Sequence, residues 1–292
     1  MKKIISCFIL VSLVVQVSAQ SRKVTEGIDI QIKKSALTSI DRFSIGNING
    51  DLKVEGYDGD EILITGSKTI SNKRGNLDQR VINEIYLRQE EHEGTIYVFV
   101  QAPGVEVEFK KGEMRHSINW NRTNRDDHKR VHFEFDLVVK MPKNLMLKAS
   151  TINGGTLIVE NMKNGVDAGN VNGNVYLKEV AGKTQAHTVN GDLEVYFSKS
   201  PTEDSKFHTV NGSMKIYSPK DLGAVVTFKS LHGDLYTDFE QVTRLTNQLN
   251  KEKSGKGFRY RISKNTPIQI GNGGANMSFE TVNGSAYIRQ RN

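Results

Sequence analysis

Along the second half of the chain, apolar and polar residues alternate in short runs that break about every twenty residues at a hydrophobic-Asn-Gly triplet. The corner occurs at Asn49-Gly50, Asn153-Gly154, Asn172-Gly173, Asn190-Gly191, Asn211-Gly212 and Asn283-Gly284, with His232-Gly233 as a variant. Each is preceded by Ile, Val or Leu. Between Asn153 and His232 the spacings are 19, 18, 21 and 21 residues, which suits one coil of chain per repeat. An isolated Asn-Gly between strands predicts a hairpin, and hairpins built into a sandwich are the competing arrangement. Recurrence at near-constant spacing favours stacking. The expected fold is therefore all-β: a single-chain β-solenoid with coils of about 20 residues, with N-terminal antiparallel strands continuous with it.

Aligning the repeats predicts which way each residue points, because a strand alternates faces with a period of two. Three and five residues after the corner stand Leu52/Val54, Val175/Leu177, Leu193/Val195, Met214/Ile216 and Ala286/Ile288, an inward ladder. Four residues before it stand Ile45, Ala149, Ala168, Ala186, Phe207, Phe228 and Phe279, a second one. The apolar residue just before the corner falls three places after that column, so a bulge or bend is expected there. Asn and Gly are expected to supply the positive φ angles of the turn.

Residues 20–144 read as longer antiparallel strands. Asp51 to Tyr57 and Glu61 to Thr69 flank Asp58-Gly59-Asp60 as a hairpin, followed by strands over Ile82 to Gln89, Thr95 to Gln101 and Val131 to Lys140. Residues 145–292 carry the regular coils, interrupted by an insertion at about 239–266. Within it, Gln241 to Asn250 suits a short helix and Gly257 to Ser263 a strand. No linker or low-complexity stretch separates the two regions.

The first residues carry an export signature: Lys2 and Lys3, an apolar run from Ile4 to Val17, and the small residues Ser18 and Ala19. Cleavage after Ala19, removing residues 1–19, is expected to deliver the protein to the periplasm, outer surface or extracellular space. That run is shorter than the roughly 20 residues a membrane span needs. Cys7, the single cysteine, lies inside this leader, so the mature chain is expected to hold neither a disulfide nor a cysteine nucleophile. The formal charge of +7 includes Lys2 and Lys3. Part of the rest sits in a basic 105–130 segment with Lys110, Lys111, Arg115, Arg122, Arg125, Lys129 and Arg130, diluted by Glu113, Asp126 and Asp127. It reads as a solvated hairpin loop, and with no nucleic-acid motif beside it, no nucleic-acid partner is expected.

The Asn-Gly-Asp-Leu-Lys-Val-Glu-Gly stretch at Asn49 to Gly56, Val-Lys-Met-Pro at Val139 to Pro142 and the repeated Thr-Val-Asn-Gly are shared with a known group. On these residues the chain resembles the bacterial putative-adhesin family of exported β-solenoid domains of unknown function. The resemblance covers about residues 40–292 and implies a repetitive β fold in a cell-envelope setting, with no catalytic residues to carry over. His232, where Asn is expected, and the basic segment depart from the pattern.

Positions four and six after the corner should face outward, and they hold Tyr176, Tyr196, Tyr217, Tyr236 and Tyr287. Such a row suits stacking on sugar rings, or cross-strand ladders that stabilise the sheet. His187 and His208 fall in one column, but two imidazoles are too few for zinc. Their column continues through Gly169 and Lys229. Asp51, Asp192 and Asp234 follow the corner glycines and read as turn residues, with Asp192 and Asp234 expected two coils apart. Gly271-Asn272-Gly273-Gly274 lacks the lysine of a phosphate loop. No cofactor, metal or catalytic residue is expected. The chain reads as a non-catalytic, adhesin-like envelope or surface protein that binds glycan or an envelope protein. The alternatives are a carbohydrate-active β-helical lyase or hydrolase, and an accessory or sensor subunit of an envelope complex.

Overall fold

The computed structural model describes residues 22–33, 37, 39–73, 75–110, 113–118, 131–245, 249–254, 257–262 and 266–291. The export leader and residues 119–130 of the basic segment lie outside the described residues. The chain forms two compact units, residues 1–162 and 163–292. Both are built almost wholly of strands.

The first unit contains β1 (Lys23–Ile32), β2 (Arg42–Gly46), β3 (Leu52–Tyr57), β4 (Ile62–Asn72), α1 (Gln79–Asn83), β5 (Tyr86–His92), β6 (Thr95–Gln101), β7 (Val105–Lys110), β8 (Glu113–Ile118), β9 (Val131–Pro142), β10 (Met146–Ser150) and β11 (Leu157–Glu160). One sheet runs β1-β4-β9-β3-β11 and another β5-β6-β2-β10. The hairpin expected around Asp58-Gly59-Asp60 does not form. Instead β9 lies between β3 and β4, parallel to the first and antiparallel to the second. Its alternating Phe133, Phe135, Leu137, Val139 and Met141 are all buried, so its place between β3 and β4 puts one full apolar face into the core.

The strand expected from Ile82 begins only at Tyr86. Asp78 accepts a hydrogen bond from the Arg80 backbone N–H and starts α1 instead. Buried Lys68 holds the end of this helix, donating to Ile85 O at 3.0 Å while pairing with Glu26 at 2.6 Å. The base of the basic segment is the hairpin β7–β8. Its Phe109 ring sits 4.8 Å from that of Tyr97, which helps to explain why β6 is buried along both faces.

The second unit contains β12 (Val166–Gly169), β13 (Val175–Val180), β14 (Thr184–His187), β15 (Leu193–Phe197), β16 (Ser205–His208), β17 (Met214–Ser218), β18 (Ala224–Lys229), β19 (Leu235–Thr237), β20 (Val242–Arg244), β21 (Leu249–Ser254), β22 (Gly257–Ile262), β23 (Ile268–Ile270), β24 (Ala275–Glu280) and β25 (Ala286–Gln290). One sheet runs β13-β15-β17-β25-β19, and the other β12-β14-β16-β24-β18-β23-β20. Within these two sheets pairing is parallel except where β23 meets β18 and β20, and β21–β22 form a separate antiparallel pair. The two inward ladders line a shared core, where Phe197 meets Phe207 at 6.5 Å between ring centroids. Phe228 is only half-buried, because its neighbour β23 pairs no further along β18 than Val226.

The all-β expectation holds, with mixed sheets and no closed barrel. Coils stacked strictly in sequence order do not. The last strands of the chain enter the middle: β24 lies between β16 and β18, and β25 between β17 and β19. The helix expected over Gln241 to Asn250 is also absent. Val242 to Arg244 forms β20 against β23, and Leu249 opens the β21–β22 hairpin. The β-branched Val242 and Thr243 suit a strand, and pairing satisfies backbone groups that a short isolated helix would leave marginal.

Candidate binding face

Each corner brings three side-chain ladders together. Asn190 donates to Asn172 Oδ1 at 2.9 Å, Asn211 to Asn190 Oδ1 at 2.9 Å, and Asn283 to Asn211 Oδ1 at 2.8 Å. His232 ends this row, bridged to Asn283 through the backbone. None of the corner asparagines has positive φ, contrary to expectation. Their role is amide-to-amide stacking. The glycines answer to crowding as well as to φ: a Cβ on Gly212 (φ +154) would overlap Gly191 O, and one on Gly191 would overlap Gly173 O.

Two residues before the corner, Thr188 and Thr209 point inward. Their hydroxyls donate to Gly173 O at 2.9 Å and Gly191 O at 3.1 Å. The apolar residue before the corner is thereby turned outward in this unit, with Val171 and Val189 exposed and Leu231 75% exposed. The backbone bends at these residues, as expected, but the alternation does not slip: Phe207 and Thr209 face inward and His208 outward, so the next residue falls on the outer face. In the first unit the corner is tied to β9 instead, since Asn49 donates to Phe133 O at 2.9 Å and Asn47 to Phe135 O at 2.8 Å. There the preceding Ile48 is buried.

The aspartates after the corners accept backbone N–H groups or face hydroxyls. Asp192 takes Ser213 N at 2.8 Å, and Asp51 takes Thr156 N at 2.7 Å. Asp234 lies three strands from Asp192, not two, because β25 intervenes. That spacing is about 14 Å at ~4.8 Å per strand.

The outward face of β13-β15-β17-β25-β19 carries all five expected tyrosines. They divide into two rows. Four places after the corner the order across the strands is Tyr176, Glu194, Lys215, Tyr287, Tyr236. Two places further on, Tyr196, Tyr217 and Arg289 are neighbours. Tyr196 and Tyr217 stack with ring centroids 4.3 Å apart at 6°, and Tyr236 and Tyr287 at 5.1 Å and 12°. Arg289 lies 5.6 Å from the Tyr287 ring centroid. Tyr176 belongs to neither pair and accepts from Asn174 Nδ2 at 3.2 Å.

Stacked rings offer a ligand their edges and hydroxyls. The face of Tyr236 turned away from Tyr287 is an exception, since β19 ends its sheet and Tyr236 is 49% exposed. The Tyr196 hydroxyl donates to Glu194 Oε1 at 2.5 Å. This hydrogen bond, with burial and the carboxylate charge adding to it, pushes the Tyr196 phenol well above its ordinary pKa. The charge of Asp234 raises Tyr236 in the same sense.

The histidine column on the opposite sheet differs from its expected order. His208 is followed by Glu280 and only then by Lys229. Lys229 pairs with Glu280 at 2.5 Å, and its hydrogen bond is the main cause that holds the Glu280 carboxyl below its usual range. The His187 ring occupies the space over Gly169 that a Cβ there would fill. Among the described residues no helix is long and apolar enough to cross a membrane.

No protein-family model matches the chain, and no curated protein does. Among solved structures it is similar to a "putative cell adhesion protein" from Clostridium sporogenes, with 12% identity over 92% of this chain and 100% of that one, at a TM-score of 0.43. It is also similar to a "putative lipid binding protein" from Parabacteroides distasonis, with 13% identity over 92% and 97% of the two chains and a TM-score of 0.31. A "putative adhesin" from Parabacteroides merdae shares 12% identity over 93% and 97%, at a TM-score of 0.27.

Proposed function

We propose that this is a non-catalytic, exported cell-envelope or surface protein, adhesin-like, whose β13-β15-β17-β25-β19 face binds a cell-surface glycan. In this reading residues 145–292 wind the coils of a β-solenoid, and the leader at 1–19 delivers the chain outside the cytoplasm. The observation that carries it is the tyrosine face itself. Five outward tyrosines, four of them stacked in two parallel pairs, form an amphipathic surface whose rings are placed without a ligand. Aromatic side chains fixed in advance lose little entropy on binding. The corner aspartates favour this reading over a polysaccharide-cleaving enzyme. They serve the backbone or face hydroxyls, and Asp192 and Asp234 stand beyond the ~6.5–9.5 Å of an inverting pair.

The test is retention on purified cell-wall glycan. Tyr196→Ser combined with Tyr217→Ser should lower retention while the far-UV dichroism stays that of the parent. Undiminished retention by a folded double variant would move the site off this face.

A further inference from the structure

The tyrosine face treats its two signs of charge differently. Each acidic side chain on or beside it is engaged from within the protein: Glu194 by the Tyr196 hydroxyl at 2.5 Å, Asp192 by Ser213 N at 2.8 Å, Asp238 by Gln290 N at 2.7 Å, and Asp234 by the Tyr236 hydroxyl at 3.4 Å. The two central cations are not. Among the described residues neither Lys215 nor Arg289 has a hydrogen bond or a carboxylate partner, and Arg289 rests only against the Tyr287 ring. Both sit mid-face on adjoining strands: Lys215 is in register with Tyr287, and Arg289 with Tyr217. Their backbones are therefore diagonal neighbours, about 8 Å apart.

We infer that this face recognises an acidic polysaccharide, one bearing carboxylate or sulfate groups, through Lys215 and Arg289, with the paired tyrosines lining the track between and beside them. The inference rests on the glycan-binding reading above and deepens it. Charge complementarity favours an anionic chain, since Lys215 and Arg289 stay available while the carboxylates around them are occupied. Ring geometry agrees. Stacking withdraws most tyrosine faces from a sugar, so edges, hydroxyls and cations carry the recognition. A guanidinium held against an aromatic ring keeps its N–H fork open to an oxyanion, which it can bind with two parallel hydrogen bonds.

The experiment compares the full mature chain on polygalacturonate and on the same polymer after methyl esterification, by affinity electrophoresis. The parent should bind the acidic polymer at least about tenfold more tightly, and rising salt should weaken that binding. Lys215→Gln with Arg289→Gln should abolish the preference. Tyr196→Ser with Tyr217→Ser should weaken binding to both polymers. Equal binding of the two polymers by the parent would overturn the inference and leave glycan binding standing. Binding to neither, together with no retention on cell-wall glycan, would sink the glycan reading itself. An unchanged preference in the Lys215/Arg289 variant, or equally tight binding to phosphatidylglycerol vesicles, would also overturn the inference.

Discussion

Asn211 donates its side-chain amide to Asn190 Oδ1 at 2.9 Å, across 21 residues of sequence. It also accepts from Asn283 Nδ2 at 2.8 Å, across 72. Asn190 and Asn211 thus each act as donor to one neighbour and acceptor from the other, which fixes the lateral register of successive corners. The row is solvent-exposed, so each bond adds less than a buried one. Asn211→Ala removes two of them and should cost about 1–2 kcal/mol. Asn211→Asp keeps an acceptor for Asn283 but sets a carboxylate against Asn190 Oδ1, and should cost at least as much. Urea midpoints measure both. Parent-like midpoints would show that the row contributes nothing to stability.

The corner glycines permit a sharper comparison. A Cβ on Gly212 would overlap the carbonyl oxygen of Gly191, so neighbouring corners must separate to admit it. A Cβ on Gly154 would meet nothing within 4 Å, and only its φ of +64 opposes substitution. Gly154→Ala should therefore cost about 1 kcal/mol, the ordinary left-handed penalty. Gly212→Ala should cost several times that, about 3 kcal/mol or more. Equal losses in denaturant titrations would mean that crowding between corners is unimportant.

The inward ladders were legible because they depend only on a period of two and on a corner that recurs. Met214, Ile216, Phe207 and Phe279 are buried where the pattern puts them. Strand order was not legible. Thr281-Val282-Asn283-Gly284 looks like every other corner, and nothing local marks it as the one that slides between the Asn211 and His232 corners. The same blindness hid the tyrosine pairs. Tyr287 and Tyr236 become neighbours only through that insertion, while Glu194 and Lys215 separate Tyr176 from them. Thr188 and Thr209 escape the apolar pattern because their hydroxyls look wrong for a core. Each is satisfied by a carbonyl of the preceding corner, which cannot be seen without the stacking.

Tyr196 gives the stability a dependence on alkaline pH. Its folded phenol, bonded to Glu194, keeps its proton to higher pH than the unfolded one, which ionises near pH ~10. Between those points the folded state binds more protons, so stability falls as pH rises. The contribution is whole below pH ~10 and is lost as pH climbs toward the folded pKa. Urea midpoints measured from about pH 8 to about pH 11 should fall more steeply in the parent than in Tyr196→Phe, which has no proton to lose. Parallel curves would mean that the Glu194 bond does not hold the phenol.

The inserted strands β24 and β25 predict where the backbone is best protected. Strand β25 has β17 on one side and β19 on the other. Arg291 fastens the end by donating to Phe197 O at 2.9 Å and to the Glu179 carboxylate. By contrast β19 lies mid-sequence but ends its sheet, bonded along one edge only. Amide hydrogen exchange in the parent should therefore be slow at Ile288 and fast at β19. Truncation after Thr266 removes β23, β24 and β25 together. It should leave residues 224–237 without protection, because β18 and β19 lose every strand partner in their sheets. It also bares the edges of β16 and β17, so the truncated chain should aggregate. Retained protection over residues 224–237, or fast exchange at Ile288 in the parent, would mean that β24 and β25 do not occupy the interior positions.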